Sequence, residues 1–336
     1  MDKHNIWLLL DSSKAGGIES HVLQLAQGLQ EHGETPLVVF LSDYGKHPLR
    51  ELLAQSGIAQ LTLNGRWRTL FHKLRRASPA ILHTHGYKAG IYGRLAAKAN
   101  KIPVFSTYHA GEIATGRLAF YDRIDRLTAV FADQLFAVSP QIAARLPNRV
   151  KVLDNFVSTT HLQHSTGQQI AFVGRVSEEK GPDHFAHLAE HFLDDTFHLY
   201  GDGPKLAELK KYAPENLKLH GQQDDMNAVW AQIGLLVIPS RYEGLPMAAL
   251  EAMARGIPVL AFGVGALDKL IEHNGNGWLI KPEDIEQMAV QLKRWQVMSV
   301  TDKQRMQEKA IQTISKQFSS DIAIPKLIAR YRKFTQ

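Results

Sequence analysis

The sequence predicts two consecutive α/β domains, each built on a parallel sheet, and three observations lead there. A chain of 336 residues exceeds one ordinary core and suits two domains of about 150 residues each. Short apolar runs alternate with longer helical patterns, as βαβ units require. The alternation then restarts after a polar, Ser/Thr/Gln-rich stretch at 158–168 that reads as a linker.

In the first series, strands are expected at 6–10, 36–40, 80–83, 104–107 and 134–138, with helices at 17–30, 88–99 and 117–131. The second series has strands at 169–173, 198–200, 217–219, 235–238 and 259–261. The expected boundaries are 1–160 for the first domain and 168–318 for the second. An amphipathic helix within 319–336 is expected to pack back on the first domain. Ligands of such folds bind beyond the carboxyl ends of the strands, so a cleft between two facing domains is the expected site.

Composition narrows the function classes. With 44% hydrophobic and 21% charged residues the chain reads as globular and soluble. It has no cysteine, which excludes disulfides and thiolate metal sites. The first apolar run ends at Asp11, short of a signal peptide, and no stretch reaches the roughly 18 apolar residues of a membrane span. A cytoplasmic protein is expected, with peripheral contact to the inner face of the membrane left open. Residues 1–150 carry +7 and the remainder −1, so an anionic surface or acceptor is assigned to the first domain.

The densest chemistry follows the run Leu235-Leu-Val-Ile-Pro239. There Ser240-Arg-Tyr-Glu-Gly-Leu-Pro246 leads into Met247-Ala-Ala-Leu-Glu-Ala-Met-Ala-Arg255, with Pro246 suited to a helix start and Gly256 to a left-handed cap. Glu243 then lies in the loop after the strand and Glu251 about one turn inside the helix. Carboxylates only accept hydrogen bonds, which suits sugar and ribose hydroxyls, and a diphosphate fits the helix N-terminus between them. Two glutamates at this spacing alone arise often by chance; the surrounding residues make the motif specific.

This stretch resembles the family 4 glycosyltransferases of the GT-B fold. The resemblance implies two facing Rossmann-like domains and sugar transfer from a nucleotide sugar with retention of configuration. On it, Glu243 contacts the transferred sugar and Glu251 the ribose, with Gly244, Leu245 and Pro246 also at the donor. Phe172-Val-Gly-Arg-Val-Ser-Glu-Glu-Lys-Gly181 is similar to the family's phosphate segment, where Gly174, Arg175 and Lys180 would hold the diphosphate. Two fixed cations there stabilise the charge that grows on the leaving oxygen; read alone, Glu178-Glu179-Lys180 is equally a solvated helix entry. Tyr200-Gly-Asp-Gly-Pro204 lacks the third glycine of a dinucleotide turn, and the family sets Gly201 near the nucleotide.

In the first domain, Ser12-Ser-Lys-Ala-Gly-Gly-Ile-Glu-Ser-His-Val22 opens a helix after the first strand. Gly16 and Gly17 allow close backbone approach to a phosphate, and the resemblance places this loop against the donor from across the cleft. Phe105-Ser-Thr-Tyr-His109-Ala-Gly-Glu112 brings His109 to the family's active-site histidine, beside sugar and acceptor, and His21 and His85 are put on the acceptor side. The alternative for His109 is a hydrogen-bonded loop histidine.

No Asp-x-Asp triplet occurs, so no carboxylate clamp for a metal–diphosphate complex is expected, and no cofactor. Sixteen histidines raise zinc, notably His83 with His85 and His187 with His191. The first pair falls in a stretch that resembles the family's ordinary strand end, the second shares a polar helix face with His184, no His-Glu-x-x-His occurs, and no metal is expected. Arg66-Trp-Arg-Thr-Leu-Phe-His-Lys-Leu-Arg-Arg76 fits an interfacial basic helix or, more simply, a helix packed on the first sheet. No nucleic-acid motif accompanies its charge. Three positions depart from the family pattern: Gly234, Ala266 and Lys269.

The sequence thus predicts a metal-independent, retaining glycosyltransferase. It would take a nucleotide sugar, UDP-linked by preference, and a glycan or glycolipid acceptor of the cell envelope, such as lipopolysaccharide. The alternatives are a sugar-nucleotide epimerase or hydrolase on the same fold, and a non-catalytic sugar-nucleotide-binding subunit.

Overall fold

The computed structural model describes residues 5–13, 16–109, 116–146, 150–160 and 162–335, with only the backbone of 116–118 and 141. It divides into two compact units, Met1–Ser158 with Ser320–Gln336, and Thr159–Ser319.

In the first unit, β1 (Ile6–Leu10), β2 (Pro36–Phe40), β3 (Ala59–Thr62), β4 (Ile81–His85), β5 (Val104–Tyr108), β6 (Gln134–Ala137) and β7 (Val150–Val152) make one sheet ordered β3-β2-β1-β4-β5-β6-β7. Every pairing is parallel. The side-chain period of two sends Leu8, Leu10, Val38, Phe40 and Phe105 to one face, under Val22, Leu25 and Leu29 of the helix Gly17–Glu31. Ile324, Leu327, Ile328 and Tyr331 of the helix Ser320–Arg332 complete that layer. Gly28 is where the two helices meet: a Cβ there would stand 2.6 Å from the Ile324 side chain.

Trp7, Leu9, Val39, Leu82 and Val104 face the other way, covered by the helices Trp67–Ala77 and Tyr87–Ala99. The basic segment is therefore a packing helix: Leu70 and Leu74 are buried, Trp67 and Phe71 stack at 5.3 Å, and its cations lie outside.

In the second unit, β8 (Gln169–Val173), β9 (Phe197–Tyr200), β10 (Leu217–Gly221), β11 (Ile233–Ile238), β12 (Val259–Phe262) and β13 (Gly277–Ile280) form a parallel sheet ordered β10-β9-β8-β11-β12-β13. Counted from its own first strand, each sheet runs 3-2-1-4-5-6, the Rossmann order, and the first sheet adds β7 beyond β6 at its edge.

Three strands escaped the sequence reading. β3 and β7 are short edge strands with incomplete burial, and β13 is a four-residue strand that opens on Gly277. β4 runs two residues past its expected end, because Thr84 and His85 are buried and paired with β1 and β5. Gly234 has a packing reason: the β8–β11 register slips beside it, and a Cβ would lie 2.7 Å from the Gly167 carbonyl oxygen. Among the described residues, no helix is long and apolar enough to cross a membrane.

Candidate functional site

In both sheets the strand order reverses beside the first strand, between β1 and β4 and between β8 and β11. Loops leaving the carboxyl ends of these strands splay apart and leave room for a ligand. Many of the sequence-predicted residues lie on those loops, while Gly201 follows β9, His109 follows β5, and His21 and Glu251 lie within helices.

In the second unit, Gly174, Arg175 and Lys180 follow β8, and Glu243 follows β11. Lys180 Nζ donates to both carboxylate oxygens of Glu243, at 2.9 and 2.7 Å, and Ser240 Oγ donates to Glu243 Oε1 at 2.7 Å. The Glu243 side chain is 4% exposed, that of Lys180 29%. A second tie runs alongside: Arg241 grips Asp183 bidentately at 2.8 and 2.6 Å, while its backbone N–H donates to the Glu179 carbonyl. Burial pushes the Asp183 carboxyl up, but the Arg241 bonds and charge prevail and hold it below its ordinary value.

Glycines let these loops touch. Gly181 sits at φ +64°, and a Cβ there would be 2.1 Å from the Pro239 carbonyl oxygen. Gly201 at φ +141° meets the Gly174 carbonyl, which a Cβ would approach to 1.9 Å. Gly265 at φ +66° lies against the Glu243 and Gly244 carbonyls, and Ala266 N–H donates to Gly244 O at 2.9 Å. Arg175 is exposed and makes no ion pair among the described residues. Leu245 is buried, and Pro246 caps the helix Met247–Ala254, in which half-buried Glu251 sits. No side chain caps that helix, so its first N–H groups remain open to an acceptor.

In the first unit, Gly16 is the N-cap of the helix Gly17–Glu31, again without a side-chain cap, and among the described residues a Cβ on Gly17 would meet nothing within 4 Å. Lys14 and Ala15 of this loop, and Ala110, Gly111 and Glu112 after His109, lie outside the described residues.

His21, one turn into that helix, is fully buried, and His85 at the end of β4 is 1% exposed. His85 Nδ1 lies 3.0 Å from His109 Nε2, and the His21 ring centroid is 4.7 Å from that of His109 and 5.5 Å from that of His85. His83 backs the group at 4.5 Å from His85, with Nδ1 on Tyr331 Oη at 2.6 Å and Nε2 on Thr107 Oγ1 at 2.7 Å. Burial disfavours the charged ring throughout, taking His21 down to about 4 and His83 to about 3, and His85 and His109 well below the ordinary value. Asn155 opposes the shift at His21, yet no bond of normal geometry reaches either His21 nitrogen.

The structure thus gathers Gly174, Lys180, Gly201, Gly244 and Glu243 at one switch point, and His21, His85 and His109 at the other. It adds Ser240 and Arg241, to which sequence reasoning gave no role. A serine three residues before Glu243 was the available signal for the first; the Arg241–Asp183 tie spans 58 positions and has none.

Residues 15–161 match the family profile described as Glycosyltransferase Family 4, and residues 167–296 the one described as Glycosyl transferases group 1. The chain is 26% identical over 258 residues to UDP-Gal:alpha-D-GlcNAc-diphosphoundecaprenol alpha-1,3-galactosyltransferase of Escherichia coli, covering 65% of this chain and 66% of that one. It is 24% identical to the O-antigen biosynthesis glycosyltransferase WbnH of Escherichia coli, over 82% of this chain and 86% of the other. Among solved structures, Anabaena Alr3699/HepE in complex with UDP-glucose superposes with a TM-score of 0.83 at 19% identity, covering 98% and 99% of the two chains.

Proposed function

We propose that this chain, which belongs to the family 4 glycosyltransferases of the GT-B fold, is a retaining enzyme that moves a sugar from a UDP-linked donor to a glycan or glycolipid acceptor of the cell envelope. The observation that carries the reading is the Lys180–Glu243 pair at the second unit's switch point. Lys180 has three N–H donors and gives two to Glu243, leaving one for a phosphate oxygen. Glu243 accepts three bonds of the roughly four its oxygens can take, leaving one for a sugar hydroxyl. Glu251 then takes the ribose diol, and the uncapped helix start between the two glutamates faces the diphosphate.

As the bond from the anomeric carbon to the phosphate oxygen breaks, its electron pair passes to the diphosphate. Exposed Arg175 and Lys180 stabilise that charge. The leaving phosphate oxygen accepts the acceptor hydroxyl's proton as the acceptor oxygen bonds the anomeric carbon from the same face. These cations supply what a divalent ion supplies elsewhere, so the reaction needs no metal on the diphosphate. By the family resemblance, His109 in the first unit is the residue that positions sugar and acceptor. The UDP-bound relative and the envelope-polysaccharide relatives support the choice of donor and acceptor class.

The test is thermal denaturation with UDP, GDP, ADP and their sugars, followed by transfer assays with EDTA present. UDP and a UDP-sugar should raise the melting temperature most, because only the folded chain binds them, and transfer should survive EDTA. Donor turnover undiminished without any acceptor would instead indicate an epimerase or hydrolase and overturn the proposal.

A further inference from the structure

Three imidazoles from three separate elements converge in the first unit: His21 from the helix Gly17–Glu31, His85 from the end of β4, and His109 from just after β5. One ring nitrogen of each lies within 4.8 Å of the others. The burial of this group is costly as it stands. Both His21 ring nitrogens and His85 Nε2 are buried without a hydrogen-bond partner, and such groups normally find one. His83 is different: its two nitrogens are taken by Tyr331 and Thr107, so it buttresses His85 rather than joining the group.

Neutral imidazole is the form that binds metals, and three imidazoles with a fourth position open is a familiar zinc arrangement. A set without thiolate or carboxylate selects zinc, copper or nickel over magnesium or calcium. Nitrogens on a tetrahedral zinc stand about 3.4 Å apart, given metal–nitrogen bonds of about 2.1 Å. His85 Nδ1 and His109 Nε2 are already 3.0 Å apart, and the three candidate ligand nitrogens lie within 4.8 Å of one another, so a shared ion requires the group to close inward. His109 is the half-buried member, and it alone of the three lines a cavity of about 60 Å³ whose walls also include Ile18, Gly86, Arg94 and Asp125.

We propose that His21, His85 and His109 form a binding site for one zinc-like divalent ion, and that filling it withdraws His109 from sugar transfer. The second clause rests on the functional reading above; the first does not. This ion is not the one that the diphosphate does without. It would act as an inhibitor, reversed by chelation.

The two other histidine pairs are the controls. His187 with His191 and His198 with His220 each bring only two rings, at the surface of the second unit. Protein stripped with EDTA is titrated calorimetrically with zinc alone, then with cobalt, whose visible bands report a site of fewer than six ligands. The wild type should take up one ion per chain at this site. Affinity should fall at least about 100-fold in His21→Asn and His85→Asn, since losing a ligand costs no less than losing a group that orients one, and stay unchanged in His187→Ala and His198→Ala. No uptake by the wild type, or uptake lost only in the surface variants, overturns the site.

If the buried variants do not fold, ring-nitrogen NMR of the wild type decides: zinc should shift His21, His85 and His109, and shifts confined to other histidines refute the site. Zinc should also suppress transfer, with EDTA restoring it. Uptake at the three rings with transfer unchanged would keep the site and overturn the placing of His109 beside the sugar.

Discussion

Lys180 Nζ bridges both carboxylate oxygens of Glu243, 63 residues away, and so ties the loop after β8 to the loop after β11. The bridge also stores a constraint: the nearly buried Glu243 carboxylate relies on Lys180 for its charge balance. Lys180→Ala should therefore do two things. It should cost about 2 kcal/mol of stability, as expected for lost hydrogen bonds to a charged group. It should also lower kcat on the order of 10²-fold by removing transition-state stabilisation. Glu243→Gln keeps an acceptor for Ser240 and should fold well while losing a similar factor in kcat. Initial rates at saturating UDP-sugar and acceptor check both; near-normal rates in the two variants would sink the assignment.

A buried ion pair in the first unit gives a pH-dependent prediction. Arg94 and Asp125 are almost fully buried and bonded to each other, with Arg94 also on the Asp125 carbonyl at 2.8 Å. Burial raises the Asp125 carboxyl to about 6, and Arg94 limits the rise. A raised carboxyl pKa means that the native state holds a proton the unfolded chain has released, so stability falls as pH rises through that window. In wild type the window closes near pH 6. In Arg94→Met the carboxyl loses its cation and the window extends upward. Urea midpoints should show a modest deficit for Arg94→Met at pH 5 that grows by pH 8 towards about 3–5 kcal/mol, the cost of an unpaired buried charge. Arg94→Met with Asp125→Leu should recover most of it, and an equal deficit at both pH values would contradict the argument.

The parts of this molecule legible in its sequence were those written locally. Strands buried on both faces, such as Ile6–Leu10, leave an unbroken apolar run, and the Glu243 motif lies within one strand–loop–helix. β3 and β7 were missed because edge strands need not be apolar. The Lys180–Glu243 and Arg241–Asp183 bonds were invisible because residues facing each other across a switch point carry no shared spacing. The histidine group is the sharpest case. His83 and His85 were read as an ordinary strand end, and only the fold brings His21 and His109 to them from 62 and 24 positions away along the chain from His83 and His85 respectively.

Gly265 offers a test of how the loop holding Glu243 is held in turn. Its left-handed backbone lets the turn after β12 lie against the Glu243 and Gly244 carbonyls, where a Cβ would come to 2.3 and 2.6 Å of their oxygens. Backbone oxygens cannot rotate away, so Gly265→Ala must move one loop or the other. The unfavourable φ adds about 1–2 kcal/mol. UDP should be little affected, since the ribose contact proposed for Glu251 lies beyond the moved loop, whereas KM for the UDP-sugar should rise and kcat should fall as Glu243 shifts. A misplacement of about 1 Å can cost 10²-fold. Parallel titrations of UDP and UDP-sugar by melting temperature separate the two; equal weakening of both would argue against a sugar contact by Glu243.

The hydroxyl of Tyr331, from the last helix, reaches His83 Nδ1 at 2.6 Å across 248 residues of sequence. Tyr331 is 3% exposed, its ring packs edge-on against Phe105 at 4.9 Å, and it belongs to the same apolar layer as Leu8 and Val38. Tyr331→Phe keeps the ring and removes one hydroxyl, leaving His83 Nδ1 buried without a partner. The expected cost is about 1–3 kcal/mol, the desolvation penalty of an orphaned polar group. Replacing both partners, Tyr331→Phe with His83→Leu, removes the orphan and should cost less than the single change. Such a cycle isolates the bond from the packing. Deleting the chain from Ser320 onward is harsher, because Ile324, Leu327, Ile328 and Tyr331 leave one face of the sheet bare together. Urea denaturation followed by Trp7 fluorescence should then show the first unit unfolded in water, and a truncated chain that keeps a cooperative transition for that unit would show that the last helix is dispensable.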